Sequence, residues 1–277
     1  MKKHEITRQE AHIIIDKGTE APFAGEYWNH FEEGVYQCRQ CEAPLYRSET
    51  KFSSHCGWPS FDDELPGAVL RQMDDDGRRT EIVCASCEGH LGHVFSGEQY
   101  TEKNTRHCVN SLSIRFVPAH RTVFASGCFW GTQYHLDRAP GVLFTQAGYI
   151  GGSALRPSYR DVCTGETGHV EAVEVLFDPK TTGFEALAKL YFETHDPTQA
   201  DGQGPDIGSQ YRSKIFYAND QQHRTARDLI GQLESRGLSI ATELEPMQPF
   251  WPAEDYHQHY YDEKGSKPYC HVYTKRF

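Results

Sequence analysis

Apolar positions in this 277-residue chain fall into two textures that change near residue 118. Between residues 34 and 117 they come in short runs broken by turn residues: Val35-Tyr36, Pro44-Leu45-Tyr46, Ala68-Val69-Leu70, Thr80-Glu81-Ile82-Val83 and Ser113-Ile114-Arg115-Phe116. Such runs predict strands, and Asp74-Asp75-Asp76-Gly77 predicts a turn between two of them. Ahead of them Thr7 reads as a helix cap on a short polar amphipathic turn, followed by a loop rich in Gly and aromatics. The first half is expected to be mainly antiparallel β.

After Pro118-Ala119-His120 strand-like and helical runs alternate. Residues 123–125, 142–150, 170–177 and 213–217 read as strands. Phe184, Leu187, Ala188, Tyr191 and His195 recur at helical spacing. A longer helix is expected from Asn219-Asp220 to Arg236-Gly237, with an acidic start and a Gly at the stop. The second half is expected to be α/β or α+β, which gives two domains, 1–118 and 121–277.

The formal net charge of −11 argues against nucleic acid and anionic membrane surfaces as partners. The start lacks the apolar core of a signal peptide, and no run of about 18 apolar residues is present to span a bilayer. A cytoplasmic protein is expected. Its nine cysteines then read as metal ligands and redox thiols rather than as a disulfide framework.

Cys38-Arg-Gln-Cys41 and Cys84-Ala-Ser-Cys87 are two C-x-x-C pairs. Two such turns complete a tetrahedral Cys₄ site with no open position, which predicts one structural zinc and not a catalytic one. In Gly127-Cys128-Phe129-Trp130-Gly131 a strand end meets a helix start. Free N–H groups and the helix dipole there would stabilise a thiolate, although a small buried residue beside two core aromatics fits the same pattern. Alternation along 105–109 places Arg106, Cys108 and Asn110 on one face, with the guanidinium able to favour a thiolate. His90 and His93 offer proton delivery near neutral pH, though each alone is more often structural. Cys56 stands in a tight loop beside Trp58. Glu171 shares a face with Val173, Val175 and Phe177; it is either a desolvated general acid or a strand-end carboxylate in solvent. Tyr159, Asp206 and Tyr211 lie in Gly- and Pro-rich stretches read as loops.

These residues carry a resemblance. Gly127-Cys128-Phe129-Trp130-Gly131, Gly148-Tyr149-Ile150-Gly151-Gly152, Thr167-Gly168-His169-Val170-Glu171-Ala172 and Asp206-Ile207-Gly208-Ser209-Gln210-Tyr211-Arg212-Ser213 resemble peptide methionine sulfoxide reductase A. Gly57-Trp58-Pro59-Ser60-Phe61, His90-Leu91-Gly92-His93-Val94-Phe95 and Arg106-x-Cys108-x-Asn110-Ser111, with both C-x-x-C pairs, resemble methionine sulfoxide reductase B. The resemblance implies two antiparallel sheets for the first half and an α/β plait for the second. For the second half it implies Cys128 as nucleophile, Glu171 as acid, Phe129 and Trp130 on the S-methyl group, Tyr159 and Tyr211 on the oxygen, and Asp206 in support. For the first half it implies Cys108 as nucleophile, Trp58 on the methyl group, and His90, His93, Arg106 and Asn110 assisting.

It further implies that residues 121–277 take the S-epimer and residues 1–118 the R-epimer. A sulfenic acid forms on each nucleophile and condenses with a second thiol, and a thioredoxin-type dithiol reduces the disulfide. The candidate second thiols are Cys56 for Cys108 and Cys270 for Cys128. The substrates are free methionine sulfoxide or oxidised proteins and peptides, and no organic cofactor is implied. Cys163 is left over and is read as a buried structural thiol. Two departures stand out: His107 replaces the usual Tyr and His55 the usual Gly. Rival readings are another thiol enzyme, such as a peroxidase or acyl transferase, and a non-enzymatic zinc-ribbon protein.

Overall fold

The computed structural model describes residues 3–277. Its contacts form two compact units, one ending at Ala119 and one spanning His120–Phe277.

The first unit opens with α1 (Arg8–Ile14), started by a reciprocal cap in which Thr7 Oγ1 accepts from Glu10 N at 3.2 Å and Glu10 Oε2 from Thr7 N at 2.7 Å. Nine strands follow: β1 (Gly34–Cys38), β2 (Pro44–Arg47), β3 (Lys51–Phe52), β4 (Ser60–Phe61), β5 (Val69–Met73), β6 (Thr80–Cys84), β7 (His90–Ser96), β8 (Thr105–Val109) and β9 (Ile114–Pro118). They form a three-stranded sheet, β2-β1-β9, and a six-stranded sheet, β3-β4-β8-β7-β6-β5. Every neighbouring pair is antiparallel. Tyr36, Leu45, Tyr46, Phe61, Ile82, Val109 and Ile114 are fully buried in the core, each contributing roughly 1.5–3 kcal/mol by leaving water. The Tyr46 and Phe61 rings stack at 4.3 Å. The expected antiparallel β class is what the unit adopts.

The second unit begins with β10 (His120–Ser126), α2 (Phe129–Leu136), β11 (Val142–Ile150), α3 (Tyr159–Cys163), β12 (Val170–Phe177) and α4 (Phe184–Thr194). It continues through β13 (Gly202–Gln203), β14 (Asp206–Ile207), β15 (Ser213–Tyr217), α5 (Asp220–Ser235), β16 (Glu243–Pro246), β17 (Trp251–Pro252) and α6 (Tyr260–Lys264). Six strands form one sheet, β16-β15-β10-β12-β11-β17, antiparallel except for β15 beside β16. This is the mixed α/β class expected.

Alternation sorts this sheet's side chains cleanly. Phe124, Val173, Val175, Phe177 and Ile215 join the core under α2, α4 and α5. Val123, Ala125, Val170, Ala172 and Phe216 form a second cluster. Covered on both faces, β12 has all eight residues buried, Glu171 among them. Asn219 caps α5 by accepting from Gln222 N at 3.0 Å, and Gly237 beyond the stop has φ +88°. His195, placed on α4 by its spacing, lies just past the helix end instead, in an extended conformation. No helix of the described residues is long and apolar enough to cross a membrane.

Candidate active sites and metal centre

Cys38 ends β1 and Cys84 ends β6, so the two C-x-x-C turns leave strands of different sheets. The turns are near copies. Each first Cys carbonyl accepts from the N–H four residues on, Glu42 to Cys38 at 2.9 Å and Glu88 to Cys84 at 2.8 Å. Glu42 and Glu88 both take left-handed backbone, φ +61° and +62°. The four sulfur ligand atoms lie within 4.8 Å of one another. Cys38–Cys87 is 3.6 Å and Cys41–Cys84 is 3.7 Å. A Zn–S bond of about 2.3 Å implies a tetrahedral edge of about 3.8 Å, so this donor set fits a zinc ion with no gap for water.

Cys108 lies on β8 between β4 and β7, opposite Ser60 and His93. Its sulfur is 3.9 Å from that of Cys56. Gly92 on β7 lets the β8 backbone approach at this point, since a Cβ there, at φ +153°, would sit 2.0 Å from the Cys108 carbonyl oxygen. The two thiols are within hydrogen-bond distance of each other. Cys56 accepts from Cys108, from Ser54 Oγ at 3.0 Å and from Arg106 Nη1 at 3.6 Å. The bonds to Cys108 and then to Ser54 push the Cys56 thiol well below its ordinary range against burial, and the bond to Cys56 together with burial pushes Cys108 up. Arg106 is held by a fork to Glu98, at 2.7 and 2.9 Å.

A cavity of about 140 Å³ opens over Cys108, lined by Trp58, His93, Asn110, Arg79 and Phe95 among others. Trp58 Nε1 donates to the Glu20 carbonyl at 3.2 Å, and Glu20 Oε1 and Oε2 accept from Leu112 N at 2.5 Å and Ser111 N at 2.8 Å. Both ends of the Asn110 amide are taken by backbone, Glu20 N at 3.1 Å and Leu91 O at 3.2 Å. His93 Nε2 lies 2.5 Å from Asp74, and buried His90 has Nδ1 2.6 Å from Glu81. Glu81 also accepts from Lys17 and Gln72, each at 2.8 Å. Burial holds the His90 imidazole below its usual pKa against the pull of Glu81, and its Nε2 is buried without a partner. His107 points away from all of this. It is fully buried against Tyr46 at 3.2 Å, with its pKa pushed down to about 4 by burial.

In the second unit Cys128 is the residue ahead of α2, as its sequence context implies. The Trp130 N–H does reach the sulfur, yet burial and then the charge of Glu171 carry the thiol's pKa up. Desolvation thus opposes the thiolate stabilisation expected from the helix start and outweighs one helix-terminal N–H. Glu171 is 1% exposed, which settles it as the buried acid candidate. Burial pushes its pKa up to about 8, the Phe129 N–H at 3.1 Å pulls it down, and Asp206 pushes it up.

Burial, reinforced by Glu171, also keeps the Tyr211 hydroxyl protonated, up to about 12. Tyr159 is raised by burial, then by a hydrogen bond with Cys163. Neither these tyrosines nor Asp206 lie in plain loops: Tyr159 starts α3, Asp206 starts β14 and Tyr211 ends a 3₁₀ turn. Cys163, expected to be buried, is corrected. It is exposed at the end of α3, because Val162 takes the buried face of that short helix.

Trp130 stacks on Tyr260 at 3.7 Å and donates through Nε1 to His257 Nδ1 at 3.1 Å. The Phe129 ring is 5.0 Å from the same imidazole. Glu254 ties this wall together by accepting from Tyr149 OH and Tyr159 N, both at 2.9 Å. Burial pushes the half-buried Cys270 up to about 11, with Asp206 adding to it, and the Cys270 charge is felt at Cys128. Glu98, Asp74, Glu254 and His257 are given no site role by a reading along the chain. Each meets its partner through folding over 8 to 127 residues, with no local spacing to mark it.

Residues 120–277 match the family profile described as peptide methionine sulfoxide reductase, and residues 6–118 match the SelR domain. The chain is 46% identical over 153 residues to peptide methionine sulfoxide reductase MsrA of Deinococcus radiodurans, covering 54% of this chain and 74% of that protein. It is 56% identical over 115 residues to peptide methionine sulfoxide reductase B5 of Arabidopsis thaliana, covering 41% and 83%. The crystal structure of Mxr1 from Saccharomyces cerevisiae in reduced form is similar at 32% identity and a TM-score of 0.52, covering 57% of this chain and 93% of that one. That yeast protein has also been crystallised in complex with Trx2 (24% identity, 57% and 91% coverage, TM-score 0.38). The two profiles meet where the fold itself divides, and this chain belongs to the peptide methionine sulfoxide reductase family, a B-type domain followed by an A-type domain.

Proposed function

We propose that the chain reduces methionine sulfoxide to methionine at two centres, the S-epimer within residues 121–277 and the R-epimer within residues 1–118. The observation that carries this reading is the pairing of Cys128 with a buried carboxyl that keeps its proton to about pH 8. Sulfoxide reduction needs both groups, because oxide leaves sulfur only when protonated. Glu171 gives its proton to the sulfoxide oxygen, which Tyr159 and Tyr211 hydrogen-bond. The activated sulfur then resembles a cation, and beside Cys128 it offsets the burial that holds the thiol proton. Cys128 attacks sulfur as its thiol proton passes to the Glu171 carboxylate, methionine leaves, and the protonated oxygen stays on Cys128 as a sulfenic acid. Phe129 and Trp130 hold the methyl group, and Asp206 supports the acid's raised pKa.

At the B-type centre Cys108 attacks, and the proton comes from the His93–Asp74 or His90–Glu81 pair. Trp58 and Asn110 shape the pocket, and Arg106 stabilises the thiolate of the Cys56–Cys108 pair. Cys56 and Cys270 are the second thiols. Each condenses with a sulfenic acid to a disulfide and water, and a thioredoxin-type dithiol exchanges the disulfide back to two thiols. Zinc held by Cys38, Cys41, Cys84 and Cys87 fastens the two sheets of the first unit and takes no part in the chemistry. The physiological role is repair of oxidised methionine in proteins and peptides.

Epimer-resolved turnover of a methionine-sulfoxide peptide tests the assignment. Cys128→Ser is expected to abolish reduction of the S-epimer alone, and Cys108→Ser reduction of the R-epimer alone. Two variants that both keep both activities would sink the reading.

A further inference from the structure

After α6 the chain runs to its last residue without helix or strand, yet it is held firmly. Thr274 N donates to the Glu193 carbonyl at 2.6 Å, and Arg276 N to the Glu193 carboxylate at 3.0 Å. Within this stretch His271 is 2% exposed and sits beside Cys270. His271 Nε2 is 2.8 Å from the Ser126 carbonyl oxygen. A carbonyl only accepts, so Nε2 carries the hydrogen and the neutral ring keeps its lone pair on Nδ1. Nδ1 is 3.1 Å from Cys270 Sγ, so the thiol S–H donates to it.

The seat for this imidazole is built into the stretch that carries the first thiol. A Cβ on Gly131 would lie 2.2 Å from His271 Nδ1, so the second Gly of Gly-Cys-Phe-Trp-Gly makes room for the ring on the first turn of α2. Cys128 precedes that same turn. The imidazole thus stands against the helix of one thiol with its basic nitrogen on the other.

We infer that His271 is the catalytic base of the second step in this unit, taking the proton of Cys270 as Cys270 attacks the sulfenic acid on Cys128. The inference rests on the roles proposed above for Cys128 and Cys270. The S–S bond forms as the S–O bond breaks. The proton passes from Cys270 Sγ to His271 Nδ1 and on to the departing hydroxide, which leaves as water. The base has work to do because burial lifts the Cys270 thiol up to about 11, so only about one molecule in 10⁴ would hold a free thiolate at pH 7. Burial lowers the His271 imidazole to about 4, so it is neutral and free to accept at the pH of the reaction, and so weak a base takes the proton in concert with S–S bond formation rather than ahead of it.

A single turnover without reductant separates the two steps: methionine release reports the first, and loss of paired thiols the second. In the wild type the disulfide rate is expected to be flat from pH 6 to 9, since a bound base relieves the need for free thiolate. His271→Gln retains a donor toward Ser126 and removes the base. His271→Asn retains an acceptor toward Cys270 without basicity. Either variant is expected to slow disulfide formation relative to methionine release by about 10²-fold or more, with the Cys128 sulfenic acid trapped by dimedone. A wild-type disulfide rate that climbs about tenfold per pH unit would overturn the inference even if both variants fail to fold. So would a disulfide rate within about threefold of wild type in a folded variant. Wild-type release of methionine with no Cys128–Cys270 disulfide would overturn the role of Cys270 instead.

Discussion

The two centres face the same bond and arrange their thiols in opposite ways. At Cys108, on a central strand, the second sulfur is already 3.9 Å away in the tight loop between β3 and β4, within hydrogen-bond reach. At Cys128 the first sulfur is a buried thiol beside a buried acid, and the second thiol comes from an irregular tail. Charge distribution differs accordingly. The first unit sets the Arg106–Glu98 ion pair and two histidine–carboxylate hydrogen bonds, His93–Asp74 and His90–Glu81, around its thiols, while in the second burial is the main cause that raises Cys128, Glu171 and Cys270. A sulfur nucleophile and a proton donor can therefore be matched either by fixing charges near them or by removing water from them.

The comparison breaks most visibly if zinc is removed. Stripping the metal with a chelator, or replacing Cys84 by Ser, is expected to unfold the first unit and abolish R-epimer turnover while S-epimer turnover persists, because structural zinc energy is folding energy. Calorimetry alongside the epimer assay checks it.

Next in size is Glu171→Gln, expected to lower S-epimer turnover by about 10²–10⁴-fold and leave the R-epimer untouched. Wild-type S-epimer reduction should fall as pH rises past about 8, where Glu171 loses its proton. The same raised pKa has a stability sign. Folding favours the protonated acid, so this contribution is complete below the unfolded value near 4.5 and is lost as pH rises to about 8. The wild-type stability should drop relative to Glu171→Gln across that window, by at most about 1.4 kcal/mol per pH unit, in urea titrations.

A third test orders the thiols. Only thiolates alkylate, so iodoacetamide at pH 6.5 is expected to label Cys56 at least about tenfold faster than Cys128 in peptide maps. Equal rates would erase the contrast between paired and solitary thiols. Smallest is Tyr260→Ala. Losing the stack on Trp130 should raise the KM for the S-epimer by a few-fold with kcat little changed. A collapse of kcat would mean that this wall does more than shape the methyl pocket.

Much of the frame was legible along the chain because local rules govern it. β12 spans Val170–Phe177, the full run expected of it, since a strand covered on both faces reads as nearly continuous apolar residues, here around two glutamates. α5 carries both its cap and its stop in sequence. The C-x-x-C pairs announce themselves because each knuckle is a local turn. What stayed hidden depends on burial or on pairing at a distance. Helix position argued for a Cys128 thiolate, and desolvation outweighed it. The single helical step from Val162 to Cys163 decided which of them faced solvent. Glu81 meets His90 only through the pairing of β6 with β7 and its bulge, and His257 meets Trp130 across 127 residues.

The hydrogen bond from the Phe129 amide to Glu171 sets two preferences against each other. The acid is held uncharged by its surroundings, yet the open end of α2 favours it charged. When the proton goes to substrate, the carboxylate left behind becomes a stronger anchor for that helix than the acid was. An acid buried this deeply would otherwise grip its proton too hard to give it away; one backbone amide keeps it both loaded near neutral pH and able to fire.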